Sequence, residues 1–92
     1  MRLDNSVFQK IYSSADLADE PIPGLPLLEL VGDQRVLVER HNGVTEYGRE
    51  RIVVKVKFGS ICILGNCLEL SRMTKGQLII CGRIHGIELC RE

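Results

Sequence analysis

Four cysteines and two histidines are the residues of this 92-residue chain best suited to metal or redox chemistry. Cys62, Cys67, Cys81 and Cys90 are spaced C-x4-C-x13-C-x8-C. Structural zinc sites draw their thiolates from C-x2-C knuckles, because two ligands that close reach one tetrahedral ion together. No such knuckle is present, and His41 and His85 have no H-x3-H companion. Each cysteine instead lies within or beside an apolar run (ICIL, NCLEL, LIICG, IELC), where a thiol packs as a small hydrophobe. The opening MRLDNSVFQKIYSSADLADE has no basic stretch followed by an apolar one, so no secretory signal is expected. The thiols are then expected to be reduced, in a cytosol. They read as core or strand-surface residues, with a Cys-based metal-binding or redox module as the alternative.

Acid–base and nucleophilic chemistry find less support. Glu46 and Glu50 fall in the polar segment EYGRE, which reads as a solvated loop. His41 precedes Asn42-Gly43 and reads as a loop residue; His85 reads as a surface imidazole at a turn. The chain has no G-x-x-x-x-G-K-[ST] or G-x-G-x-x-G phosphate cradle and no G-x-S-x-G elbow. The expectation is therefore a non-enzyme: no catalytic, cofactor-binding or metal-ligating residue is assigned. Arg49, Arg51, Lys55 and Lys57 would place a basic stripe on one strand face, the basis of a nucleic-acid reading. Single-strand binding also needs aromatic platforms, yet Phe8, Tyr12, Tyr47 and Phe58 are the only aromatics. Twelve basic residues balance twelve acidic ones, with a pI near 6.7, so bulk attraction to phosphate is missing too. A wet, charged outer face explains the stripe, and nucleic acid is not expected as a partner.

The elements that would hold these residues divide the chain in three. In residues 1–20, Val7, Phe8, Ile11, Tyr12 and Ala15 recur at helical spacing, and Asp4 or Asn5 can cap the start. This predicts one short α-helix, an N-terminal arm too brief to be stable unless it docks. Residues 21–26 (PIPGLP) form a proline-rich linker that ends any helix. From residue 27 to residue 92 the pattern is β. LLELV and RVLVE are separated by Gly32-Asp33-Gln34, a hairpin connection. Asn42-Gly43 predicts a turn, and Ile52, Val54, Val56 and Phe58 alternate with Arg51, Val53, Lys55 and Lys57. Gly59-Ser60 predicts the next turn, Gly65-Asn66 a break and Thr74-Lys75-Gly76 another turn.

One internal echo stands out. Gly59-x-Ile61-x-Ile63-x-Gly65 returns seventeen residues later as Gly76-x-Leu78-x-Ile80-x-Gly82. Two copies fall short of a solenoid, and glycines inside strands mark bulges or close backbone approach. The fold class predicted is all-β, a mainly antiparallel twisted sheet or small β-roll, plus the N-terminal helix. Composition agrees: 45% hydrophobic, 26% charged and a mean hydropathy of +0.06 describe a globular chain, and no apolar run is long enough to span a membrane. Residues 1–30 carry two basic and five acidic side chains and residues 31–92 ten and seven, which favours docking of the arm.

The β portion resembles the YabP/YqfC family of sporulation proteins. The resemblance rests on the order and spacing of Gly32, Val38, Asn42, Gly43, Val44, Tyr47, Ile52, Val54, Gly59, Ile63, Gly65, Leu68, Gly82, Ile84 and Ile87. The acidic arm, the proline-containing linker and the length are most similar to the YqfC branch. The resemblance implies a protein of endospore-forming Firmicutes, made in the mother cell, with no catalytic activity or active-site residue to carry over. It also implies a membrane sporulation protein, YqfD, as partner, with the chain cytoplasmic and at the forespore membrane only through that partner. The expected role is a small scaffold that binds protein, self-association being its simplest form.

Overall fold

The structure, a computed structural model, describes residues 24–92. The predicted N-terminal helix and the first half of the proline-rich linker lie outside the described residues. What is described is all-β: β1 (Leu27–Val31), β2 (Arg35–Glu39), β3 (Val44–Tyr47), β4 (Arg51–Val56), β5 (Gly59–Met73) and β6 (Gln77–Arg91). They form one antiparallel sheet in the order β1-β2-β6-β5-β4-β3.

Two fifteen-residue strands, β5 and β6, make a long central hairpin, and each is paired differently along its length. The second half of β5 and the first half of β6 join β2 and β1, with Leu30↔Val36↔Ile80↔Leu70 in register. The first half of β5 and the second half of β6 join β4 and β3, with Ile52↔Ile63↔Ile87 in register. The glycine repeat is the sequence image of this arrangement. Residues 59–65 and 76–82 are the inner strands of the two half-sheets, each running from a hairpin end to a bend.

The bend lies where the β5–β6 register slips, between Leu64/Gly65 and between Asn66/Glu69. Gly82 there has φ 142°, and a β-carbon on it would meet the Cys67 carbonyl oxygen at 2.7 Å and the Leu68 α-carbon at 2.9 Å. Gly65 is crowded more closely still, by the Arg83 carbonyl. Cys67 itself takes φ 54°, the left-handed region that side chains usually avoid. These glycines therefore do not end strands, as the break predicted at Gly65-Asn66 has it; they let paired strands fold over.

Folding over explains the burial. In a single flat sheet both faces meet water, yet Val36, Val38, Leu78 and Ile80 of one half and Ile52, Val54 and Ile63 of the other are fully buried in one cluster. The two half-sheets must face each other, with Leu68 and Ile84 filling the bend. Each such aliphatic side chain contributes roughly 1.5–3 kcal/mol when taken out of water. The result is the small roll that the glycine-punctuated strands allow.

The connections show where local signals shift. The β1–β2 link is Gly32–Gln34 as expected, closed by Gln34 N–H donating to the Val31 carbonyl at 3.1 Å. The turn expected at Gly59-Ser60 sits two residues earlier, at Lys57-Phe58, and Gly59 opens β5 beneath the Cys90 carbonyl. Asn42-Gly43 is not a hairpin turn: the positive φ values fall on Arg40 (63°) and Gly43 (111°). This segment instead crosses between the half-sheets. Arg40 N–H donates to the Gly76 carbonyl at 2.6 Å, and Asn42 N–H to the Lys55 carbonyl at 2.7 Å.

Candidate interaction surface

The four cysteines do not converge. Cys62 is buried, 2% exposed, on the face of the second half-sheet that points away from the core, opposite Val53 and Glu88. Burial pushes its thiol pKa up, and Glu88 adds to this while Arg51 opposes it. Cys90 is exposed and pairs with Ser60, one diagonal step from Cys62. Diagonal neighbours stand about 7–8 Å apart, beyond disulfide reach. Cys67 is exposed at the bend and Cys81 half-buried opposite Arg35. Among the described residues no three His, Cys, Asp or Glu side chains group to hold a metal ion.

The histidines separate as well. His41 lies in the β2–β3 connection, a loop residue as expected, and is buried there, 8% exposed. Its Nδ1 accepts from the Gly43 N–H at 3.0 Å, so Nε2 carries the proton and donates to the Thr74 carbonyl at 2.9 Å. It thereby ties the crossing segment to the β5–β6 turn. His85 is exposed and lies within β6, not at a turn. Glu46 belongs to β3, not to a loop, and its Oε2 pairs with Arg51 Nε at 3.0 Å. Lys55 Nζ pairs with Glu92 Oε1 at 3.8 Å, and Lys57 lies against Gly24. Two members of the basic stripe thus face carboxylates. Arg49 is exposed in the β3–β4 link, its carbonyl accepting from Leu68 N–H at 2.8 Å.

Described residues line two of the surface hollows. One, of about 620 Å³, opens at the bend and is lined by Asp33, Gln34, Asn66, Cys67, Gly82 and Arg83. Among the described residues, the Cys67 thiol shares this hollow with the Asp33 carboxylate and the Arg83 guanidinium and with no histidine. The other, of about 210 Å³, is mostly apolar and lies between Leu30 of β1 and Ile84, Gly86 and Ile87 of β6.

This second hollow is part of a longer seam. Along each core-facing row, burial falls off toward the outer strand. Leu30 beyond Val36 is 51% exposed, and Leu89 beyond Ile61 is 65% exposed; Leu28 and Ile87 are half-buried. Of these, Leu30 and Ile87 line the one hollow, where β1 meets the second half of β6. Asp33 and Ile84 close one end, the Ile84 N–H donating to the Asp33 carbonyl at 2.7 Å. At the other end Gly24 rests on Lys57, beside the point where Glu92 N–H donates to the Phe58 carbonyl at 3.1 Å.

The opposite side is better closed. There the Tyr47 hydroxyl accepts from the Leu70 N–H at 3.2 Å, and β3 is short, bulged and guarded by the Glu46–Arg51 pair. Edge strands are normally blunted by bulges and charges of this kind. β1 (LLELV) has one charge, Glu29, and no bulge against β2.

Fold and surface together define a small bent-hairpin β-roll whose distinctive residues build shape and leave one apolar seam open. The chain belongs to the YabP family, whose model matches residues 26–92. No curated protein and no solved structure matches it. Membership of this family is consistent with a sporulation-related protein. No helix among the described residues is long and apolar enough to cross a membrane.

Proposed function

We propose that this chain is a non-enzymatic sporulation protein of the YqfC branch, acting in the mother cell of an endospore-forming Firmicute as a scaffold that docks protein on the β1–β6 seam. The observation that carries the reading is the exposure of Leu30 and Leu89, core-facing residues left uncovered between β1 and β6. A strand or amphipathic helix laid there would bury them and satisfy the open edge of β1. The partner proposed is the membrane sporulation protein YqfD, which would hold a cytoplasmic chain at the forespore membrane. A second copy is the other protein that the unguarded β1 edge suits.

Co-expression with affinity-tagged YqfD tests this. Capture should fall at least tenfold for Leu30→Lys and Leu89→Lys and persist for Arg72→Glu, which lies on the face of the sheet away from the core. Equal capture of all three variants would remove the seam as the docking site. No capture of the unaltered chain would remove YqfD.

A further inference from the structure

We infer that β1 takes up an extended strand of another protein, and that the residue this strand sets opposite Glu29 is a lysine or arginine. This rests on docking at the seam and adds the chemistry of the docked segment.

The bonds of β2 fix which groups of β1 are free. The Gln34 carbonyl accepts from Gly82 N–H at 3.2 Å and Arg40 N–H donates to the Gly76 carbonyl at 2.6 Å, so the even-numbered residues of β2 bond to β6. Its odd-numbered residues then bond to β1, where their partners are Leu27, Glu29 and Val31. The N–H and C=O groups of Leu28 and Leu30 are left pointing outward, and among the described residues no strand pairs with them. β6 does not cover this edge: none of its α-carbons comes within 8 Å of one in β1. Leu27, Leu30 and Val31 are half-exposed, and a β-carbon on Gly32 would meet nothing, so the edge is open past its end.

Glu29 selects the occupant. It lies at the middle of β1, on the outer face opposite Leu37, and among the described residues it has no ion-pair partner. At the other margin of the sheet the carboxylate of Glu46 is held by Arg51 of the neighbouring strand. A second copy fits this edge poorly. Antiparallel pairing that uses both outward residues sets Leu28 against the other copy's Leu30 and puts two Glu29 carboxylates directly opposite each other, which is destabilising. Sliding two residues one way sets Leu30 against Pro26, which has no N–H to give. Sliding the other way sets Leu28 against Gly32, which leaves the strand at φ 55°. A foreign strand with a cation at its centre keeps every bond and turns the repulsion into attraction. Its residues on either side of that cation point to the core side, where the hollow between Leu30 and Ile87 has room for a branched aliphatic side chain.

The probes are two palindromic peptides, acetyl-Val-Thr-Val-Lys-Val-Thr-Val-amide and its counterpart with Glu at the centre, which can pair with β1 in either direction. They are titrated into the isotope-labelled full chain and followed by NMR. The lysine peptide should shift the Leu28 and Leu30 amide signals and bind about fivefold more tightly than the glutamate peptide. Glu29→Lys, a change at an exposed side chain, should reverse that order, and added salt should shrink the difference in both chains. Equal affinities would overturn the inference while leaving β1 as a docking edge, and failure of both peptides to shift the two amides would overturn it outright. Docking at the seam is judged separately, by capture of the Leu30→Lys and Leu89→Lys chains. Slow exchange of both amides before any peptide is added would show the edge already taken, by a second copy if the chain sediments as a dimer and by the chain itself if as a monomer. Either result overturns the inference.

Discussion

His41 holds two pieces of backbone that belong to different half-sheets, and its worth can be estimated from that. Replacing it by alanine removes bonds to the Gly43 N–H and the Thr74 carbonyl and leaves both partly buried groups unsatisfied. Each unsatisfied group costs about 1–3 kcal/mol, so His41→Ala should lower unfolding free energy by at least about 2 kcal/mol in urea titration. The sequence shows only His-Asn-Gly, a solvated-loop signature, because both partners depend on where the β5–β6 turn lands. The thiols were more legible, since their apolar flanks put them on strands, although which face each takes depends on register. Cys62 should be the slowest of the four to react with a thiol reagent, and Cys67 and Cys90 the fastest. Burial raises the Cys62 pKa above its ordinary 9.0, so the native state holds that proton more tightly than the unfolded chain does. The stability this contributes is complete below about pH 9 and is lost as pH climbs through the native value. Cys62→Ala should flatten the alkaline decline in stability; an unchanged pH profile would show that another group controls it.

At the scale of the element, the bend decides the architecture. A methyl group on Gly82 would press into the Cys67 carbonyl and the Leu68 backbone, at a φ that L-residues resist. Gly82→Ala should cost about 2–4 kcal/mol, read from the denaturant midpoint. Gly76 has open space around its α-carbon, so Gly76→Ala should stay within about 0.5 kcal/mol. If both substitutions cost the same, close backbone approach is not what shapes the hairpin. Strand identity was well marked in the sequence: alternation located β4, and the Gly32–Gln34 link fixed the β1–β2 hairpin. The difference between a glycine that ends a strand and one that bends it was not marked. It is set by the opposing strand, which at Gly65 is Arg83 and at Gly82 the Cys67–Leu68 bulge. β3 escaped notice for a similar reason, since VTEY is short and polar and becomes a strand only by pairing with β4.

For the whole molecule, the class of fold and the family were readable, and the rolling of the sheet was left open. Alternating apolar residues look the same in a flat sheet against a partner and in a sheet closed on itself. What separates them is the two-sided burial of Val36, Ile52, Ile63 and Ile80. The seam is illegible for the same cause: Leu30 and Leu89 sit in register with the buried Val36 and Ile61 and are exposed by their place at the sheet's margin. On the proposed reading, shape and an uncovered cleft are what this molecule would bring to spore formation. The most direct measurement is site-specific photocrosslinking in sporulating cells, with the crosslinking residue at Leu30, at Leu89 or, on the far side of the sheet, at Arg72. The account predicts a protein adduct from positions 30 and 89 and none from position 72. An adduct from position 72 alone would contradict it.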